Sequence, residues 1–140
     1  MLVERIEGKW IDVFARVFEM CAVDKTQTAA ILSETQSRSV NVNLAELALD
    51  RLGIRPIHIV LPTLRQNSPV PVRATGASDA IAGSTAVIKA LASVDFVVDC
   101  TVEGLLHAPE LPEILADGSR VLMVSNEHPE ALERLMPTED

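Results

Sequence analysis

Apolar residues recur along the chain in two alternating patterns, one with the spacing of a helix and one typical of buried strands. The first helical pattern covers residues 9–23 and predicts an amphipathic helix from Trp10, Val13, Phe14, Val17, Phe18 and Cys21. A short apolar run at 29–32 follows and predicts a buried strand. A second helical pattern over 40–53 ends at Gly53, and glycine commonly terminates helices.

The rest of the chain continues to alternate strands with helices. The patterns predict strands over 56–61, 95–100 and 119–126, and helices that begin between 79 and 84 and run to 93, over 109–118 and over 128–136. A polar loop over 63–78 is longer than most connections, which indicates a functional or flexible segment. One helix followed by four strand–helix units calls for a parallel sheet with right-handed crossovers.

All four predicted strands are uniformly apolar, so we expect both faces of the sheet to be covered. The fold class is therefore α/β: a single three-layer domain over 1–140, with a flavodoxin- or Rossmann-like four-stranded parallel sheet between helices. Composition agrees, because hydrophobic residues make up 48% of the chain while aromatic residues make up only 3%. Such an aliphatic core favours a helix-covered parallel sheet over an aromatic-rich β-sandwich.

Charge and cysteine content narrow the classes of partner. The formal net charge of −8 and the absence of a Lys/Arg cluster argue against nucleic-acid binding. Cys21 and Cys100 are predicted to be buried thiols in a reducing compartment, and no CxxC motif suggests zinc. The sequence contains neither a signal-peptide pattern nor an apolar run long enough for a membrane span. We therefore expect a cytoplasmic protein without membrane contact.

Ligands of open α/β sheets bind at the carboxyl ends of the strands, which selects four segments here. They are Ser33–Thr35, Pro62–Leu64, Thr101–His107 and Ser125–Glu127. The third is the richest in chemistry, because it offers the carboxylate of Glu103, the flexible Gly104 and the imidazole of His107.

His107 could act as a general base at neutral pH, or it could simply cap a helix or lie at the surface before Pro109. Glu103 could orient or accept protons, although such glutamates are more often simply solvated. His58 lies within a strand and is predicted to be a core or edge histidine, and His128 is predicted to begin a helix.

No complete catalytic constellation is present in the sequence. HExxH and HxH metal patterns, the GxGxxG and GxxxxGK[ST] phosphate loops and the GxSxG nucleophile elbow are all missing. The residues thus predict a soluble α/β domain and leave its chemistry open.

Three stretches resemble a known family: FxxVFxMCAVDKTQTAAILSE, ASVDFVVDCTVEGLLHAPE and EALERLMPTED. They are similar to the 2,5-dihydroxypyridine 5,6-dioxygenases, iron-dependent ring-cleaving enzymes of nicotinic-acid catabolism that are structurally related to aminopeptidase T-type metallopeptidases. The likeness covers nearly the whole chain in order, with LLH-x-PE and MPTED as its main motifs.

The resemblance implies that this chain is the amino-terminal domain of a longer protein. In that family two histidines and a carboxylate bind the metal from a following, larger domain, so Fe(II) is implied for the full-length protein and no cofactor for this domain. In that family a Leu-His pair after the third strand contributes to the active site, and it matches Leu106 and His107 here. The resemblance therefore implies that Leu106 packs against the substrate and that His107 is the acid/base that handles the proton of the substrate hydroxyl. Glu103 is a further candidate for substrate contact.

The resemblance also implies a small aromatic substrate, a missing carboxyl-terminal metal-binding domain as partner, and an isolated domain without activity. We expect a homo-oligomer. The lead-in residues Glu103 and Gly104 depart from the family's more apolar pattern, and Ala108 stands where the family has serine, which puts the substrate in doubt. Two alternatives stay open: the amino-terminal domain of an aminopeptidase T-like metallopeptidase, and a stand-alone non-catalytic flavodoxin-like binding module.

Overall fold

A computed structural model describes residues 6–62, 81, 84–102, 104–106, 108–124 and 128–129. Helices and strands alternate as predicted, in the order α1 (Gly8–Met20), β1 (Ala29–Glu34), α2 (Ser39–Arg51), β2 (Ile57–Leu61), α3 (Thr85–Ser93), β3 (Phe96–Asp99), α4 (Leu111–Leu115) and β4 (Arg120–Met123). The predicted loop 63–78 and nearly all of the predicted helix 128–136 lie outside the described residues. Within the described part, every helix is too short or too polar to cross a membrane.

The four strands form one sheet in the order β2-β1-β3-β4, and every neighbouring pair is parallel. Strand β1 lies in the interior of the sheet, where Ile31 pairs with His58 on one side and with Val98 on the other. The chain therefore adds β2 on one side of β1 and then β3 and β4 on the other side. This doubly wound arrangement creates a crevice between the carboxyl ends of β1 and β3, where such folds bind ligands.

Helices cover both faces of the sheet, so the predicted three-layer α/β fold is confirmed. On one face α1 and α2 pack against alternate strand residues, and the centre of that cluster is Phe18, whose ring meets Phe14 and Phe96 edge to face at 6.1 and 5.4 Å between centroids. On the other face α3 and α4 cover Leu32 and Val97. The strand alternation thus divides the core into two apolar layers.

Strand β2 departs from the expectation that all strands are covered on both faces. It lies at the edge of the sheet, and Ile57 and Val60 remain 57% and 60% exposed. The prediction was wrong because an apolar run has the same appearance in a central and in an edge strand, and strand order depends on the crossover directions. His58 is an edge histidine, with Nε2 lying 3.4 Å from a carboxylate oxygen of Glu46.

Two helix ends show how local geometry sets the element bounds. Helix α2 ends as predicted, because Gly53 adopts φ +81° and Ile54 N–H donates to Leu49 O at 2.9 Å, which is a Schellman ending. Helix α1 stops at Met20, three residues earlier than predicted, because Ala22 takes the left-handed conformation with φ +62°. Alanine occupies that turn in place of glycine, the usual signal of a helix end, so the stop was not predictable from the pattern.

Helix α4 is shorter than the predicted 109–118. Pro112 lacks a backbone N–H, so it is tolerated in the first turn of a helix but not in its interior. Helix α4 therefore begins just before Pro112 and not further upstream. Gly118 has φ +96°, and its N–H donates to Leu115 O at 3.1 Å, which closes the helix after one and a half turns.

Candidate active site at the carboxyl edge of the sheet

Buried polar side chains of the described residues concentrate at the carboxyl edge of the sheet. Five of the six lie where β1 and β3 end or where the next segment begins, namely Ser33, Glu34, Asn41, Asp99 and Thr101. Removing polar groups from water is unfavourable unless they gain partners, so the buried side chains at this edge depend on hydrogen bonds. It coincides with the crevice that the strand order creates between β1 and β3.

Asp99 is the last residue of β3, and its side chain is fully buried. Its Oδ1 accepts hydrogen bonds from the backbone N–H of Thr101 at 3.0 Å and from Thr101 Oγ1 at 2.5 Å. Its Oδ2 accepts one from the backbone N–H of Leu105 at 2.7 Å. Burial raises the pKa of the Asp99 carboxyl, while these three donors act in the opposite direction.

The loop after β3 leads into a tight turn, which we call the 105–108 turn. The N–H of Ala108 donates to Leu105 O at 3.0 Å, and both of these residues are buried against the face that α3 and α4 cover. Leu106, between them, is 64% exposed. Gly104 enters the turn with φ +77°, a conformation that favours glycine. The turn is therefore anchored in the core and presents Leu106 to solvent.

A second network joins the β1–α2 connection to the same edge. Ser37 Oγ accepts a hydrogen bond from Glu34 N–H at 2.7 Å and donates one to Cys100 O at 2.6 Å. The Cys100 thiol is buried, and burial together with the Asp99 charge raises its pKa to about 12. Cys100 is thus a packed thiol without nucleophilic character at neutral pH.

The structure describes only some of the residues predicted from the sequence. Leu106 lies at the exposed tip of the 105–108 turn, where a substrate could contact it. Glu103 and His107 lie outside the described residues, so their assigned roles stay predictions. The same holds for the predicted candidate segment 125–127 and for most of the segment after β2.

The other singled-out residues make contacts outside these two networks. His128 stacks edge to face on Trp10 with 5.3 Å between ring centroids, which indicates packing. Both cysteines are free, and Cys21 is only half-buried, unlike the prediction that both would be buried. Burial raises the Cys21 pKa, opposed by the Arg120 charge.

The described part of the chain does not by itself offer a metal centre. Across residues 6–62, 81, 84–102, 104–106, 108–124 and 128–129, no three His, Cys, Asp or Glu side chains come together in a way that could hold an ion.

Sequence reasoning missed Asp99 and Ser37, which organise the two networks. The signal for Asp99 was present, because a carboxylate that closes an apolar strand pattern must find partners once it is buried. Its partners lie two and six residues further on, and only the folded loop brings them together. Ser37 gave no comparable signal in the sequence.

The strand order defines a doubly wound α/β domain with a polar carboxyl edge, and comparison with known proteins identifies its family. The sequence model of the 2,5-dihydroxypyridine 5,6-dioxygenase (NicX) family matches residues 9–140, and the chain belongs to this family. The resemblance inferred from the sequence motifs is thereby confirmed.

Two matches make the relationship specific. A 2,5-dihydroxypyridine 5,6-dioxygenase of Pseudomonas putida strain KT2440 is 35% identical over 130 residues, which cover 91% of this chain and 36% of the relative. The solved structure of a 2,5-dihydroxypyridine dioxygenase from the same strain superimposes with a TM-score of 0.81 at 34% identity, covering 93% of this chain and 37% of that one. This chain thus spans little more than a third of the length of its relatives.

Proposed function

We propose that this chain is the amino-terminal α/β domain of a ring-cleaving dioxygenase that acts on 2,5-dihydroxypyridine or a closely similar aromatic. The observation that carries the proposal is the family match over residues 9–140, joined to a relative at 35% identity whose name states that activity. The polar carboxyl edge supports it, since ligands of doubly wound folds bind at this edge and the apolar Leu106 lies exposed in the loop that follows β3.

In this proposal the 105–108 turn contributes the chain's share of the active site. Leu106 packs against the flat face of the aromatic ring, a role that suits an apolar side chain held in the open. His107 follows it directly in the sequence, and a neutral imidazole nitrogen takes the proton from the ring hydroxyl. Removing that proton makes the ring more electron-rich and favours its reaction with dioxygen. Glu103 is proposed as an additional contact to the substrate.

The Fe(II) that the family resemblance implies belongs, in this proposal, to residues outside this chain. The described residues offer no three-ligand site, and the relatives are about two and a half times as long as this chain. A carboxyl-terminal metal-binding domain is accordingly the proposed partner, and the protein is proposed to work as a homo-oligomer in the cytoplasm. Activity is expected of the full-length protein and not of this domain alone.

The test is an assay of ring cleavage by the full-length protein loaded with Fe(II), following loss of 2,5-dihydroxypyridine and oxygen uptake. We expect turnover in the wild type and a loss of about 100-fold or more in kcat for His107→Ala with unchanged iron content. His58→Ala is the matched control, because His58 lies on the edge strand β2, where its Nε2 is 3.4 Å from a carboxylate oxygen of Glu46. It should retain wild-type turnover.

Two results would contradict the proposal. Cleavage of aminoacyl substrates instead of the dihydroxypyridine would favour the metallopeptidase alternative, and absence of both activities would favour a binding module. Equal turnover in His107→Ala and wild type would remove the role assigned to the histidine while leaving the substrate assignment in place.

A further inference from the structure

The most constrained carboxylate among the described residues stands directly behind the exposed turn. Asp99 closes β3 with no exposed surface, and both of its oxygens accept hydrogen bonds from the loop that follows. A surface loop would not need such a group, because water can satisfy backbone N–H donors there. A buried carboxyl group is costly unless its oxygens are hydrogen-bonded, and here the loop binds both of them.

The geometry divides the work between the two carboxylate oxygens. Oδ1 binds the backbone N–H and the hydroxyl of Thr101, which fixes the first step of the chain out of the sheet. Oδ2 binds Leu105 N–H at 2.7 Å, which fixes the first residue of the 105–108 turn. The Asp99 side chain thus fixes the loop both at Thr101, where it leaves the strand, and at Leu105, where the turn begins. Leu106 is the next residue after this second contact.

We propose that Asp99 is a positioning residue of the active site, whose carboxylate holds the 105–108 turn so that Leu106 meets the substrate in the correct place. The part that concerns the substrate rests on the proposed function. The part that concerns the turn rests on the hydrogen bonds alone. Active-site groups must be held within a fraction of an ångström of their productive positions, and such supporting contacts provide this.

The informative change is Asp99→Asn, which keeps the size of the side chain but leaves a single acceptor oxygen. If that oxygen serves Thr101, the new NH2 group faces Leu105 N–H, donor against donor. The matched control is Asp95→Asn at the other end of the same strand, where an exposed carboxylate accepts from the backbone N–H and hydroxyl of Thr28. Both of those bonds end on Oδ2, so the amide oxygen of asparagine can keep them, and the control removes a carboxylate charge beside β3 without leaving a donor unmatched near the turn.

Two measurements on the full-length protein test the proposal. Hydrogen–deuterium exchange over residues 100–108 should become at least about tenfold faster in Asp99→Asn and stay at the wild-type rate in Asp95→Asn. In ring-cleavage kinetics Asp99→Asn should lower kcat by about 10- to 100-fold with a smaller change in KM. A displaced 105–108 turn would disturb the alignment of the substrate for reaction more than its affinity. Thr101→Val should show a weaker form of the same defect, and Thr101→Ser should restore kcat.

The possible failures can be told apart. Unchanged exchange over 100–108 in Asp99→Asn would overturn the proposal regardless of activity. Faster exchange in Asp99→Asn together with a wild-type kcat would also overturn the proposal, provided that His107→Ala abolishes activity in the same assay. The reaction would then not depend on the hydrogen bonds that hold the turn. If the wild type leaves 2,5-dihydroxypyridine intact, the proposed function fails, and the exchange result alone decides whether Asp99 holds the turn.

Discussion

Leu105→Ala offers a direct way to measure how firmly the 105–108 turn is anchored. Leu105 lies in a loop, yet its side chain has no exposed surface and packs in the cluster between the sheet and α3 and α4. Truncating a buried leucine costs about 2–5 kcal/mol, depending on how far the surroundings close the cavity. The bond from Leu105 N–H to Asp99 restrains the backbone from moving inward, so we expect about 3 kcal/mol.

Leu49→Ala is the matched control, because Leu49 is equally buried but belongs to the cluster on the opposite face of the sheet. Urea unfolding followed by circular dichroism gives the free energy of unfolding for each variant. Combining each with Asp99→Asn forms two double-mutant cycles. Leu105→Ala should couple to Asp99→Asn by about 1 kcal/mol, since both loosen one anchor, whereas Leu49→Ala should add to it within about 0.5 kcal/mol.

A loss of less than about 1 kcal/mol in Leu105→Ala would contradict the claim that Leu105 anchors the 105–108 turn in the core, because such a value is typical of surface and loop positions. An additive cycle with Asp99→Asn would contradict the claim equally. The hydrogen bond and the buried side chain would then be independent features, not two halves of one attachment.

Two further predictions concern single residues. Ala22→Gly should raise the free energy of unfolding by about 1 kcal/mol in urea titrations, because glycine adopts the left-handed φ at the end of α1 without the steric cost that alanine bears; an unchanged midpoint would contradict this. Because burial raises the folded-state pKa of Asp99, its contribution to stability is fully present below about pH 4 and is lost as the pH rises through the raised pKa. Asparagine does not titrate, so the free energy of unfolding of the wild type minus that of Asp99→Asn should fall from about pH 4 toward neutral pH. An increase in this difference would mean that the three hydrogen-bond donors lower the Asp99 pKa more than burial raises it.

The features that short-range pattern determines were predictable from the sequence. The apolar run at 29–32 marked β1, and Gly53 marked the end of α2, because each depends on its neighbours in the chain. The exposure of β2 was not predictable, since the order of the strands follows from how the crossovers wind. The early end of α1 was missed because Ala22 occupies a position where glycine is the usual signal.

The site shows the same division between local and long-range information. The carboxyl-end rule selected the loop that carries Leu106, because it needs only the strand pattern. The role of Asp99 depends on a loop that returns to the strand end six residues later, and no periodicity encodes that return. Buried polar residues at strand ends are therefore worth weighing as anchors even when they lack a motif.

The most direct test of the account is a structure of the full-length protein with 2,5-dihydroxypyridine bound in the absence of oxygen. We expect the ring to lie at the carboxyl edge of the sheet, with its carbon atoms within about 4 Å of the Leu106 side chain. An ordered ring bound elsewhere, without contact to the 105–108 turn, would contradict the claim that this turn is the domain's contribution to the active site.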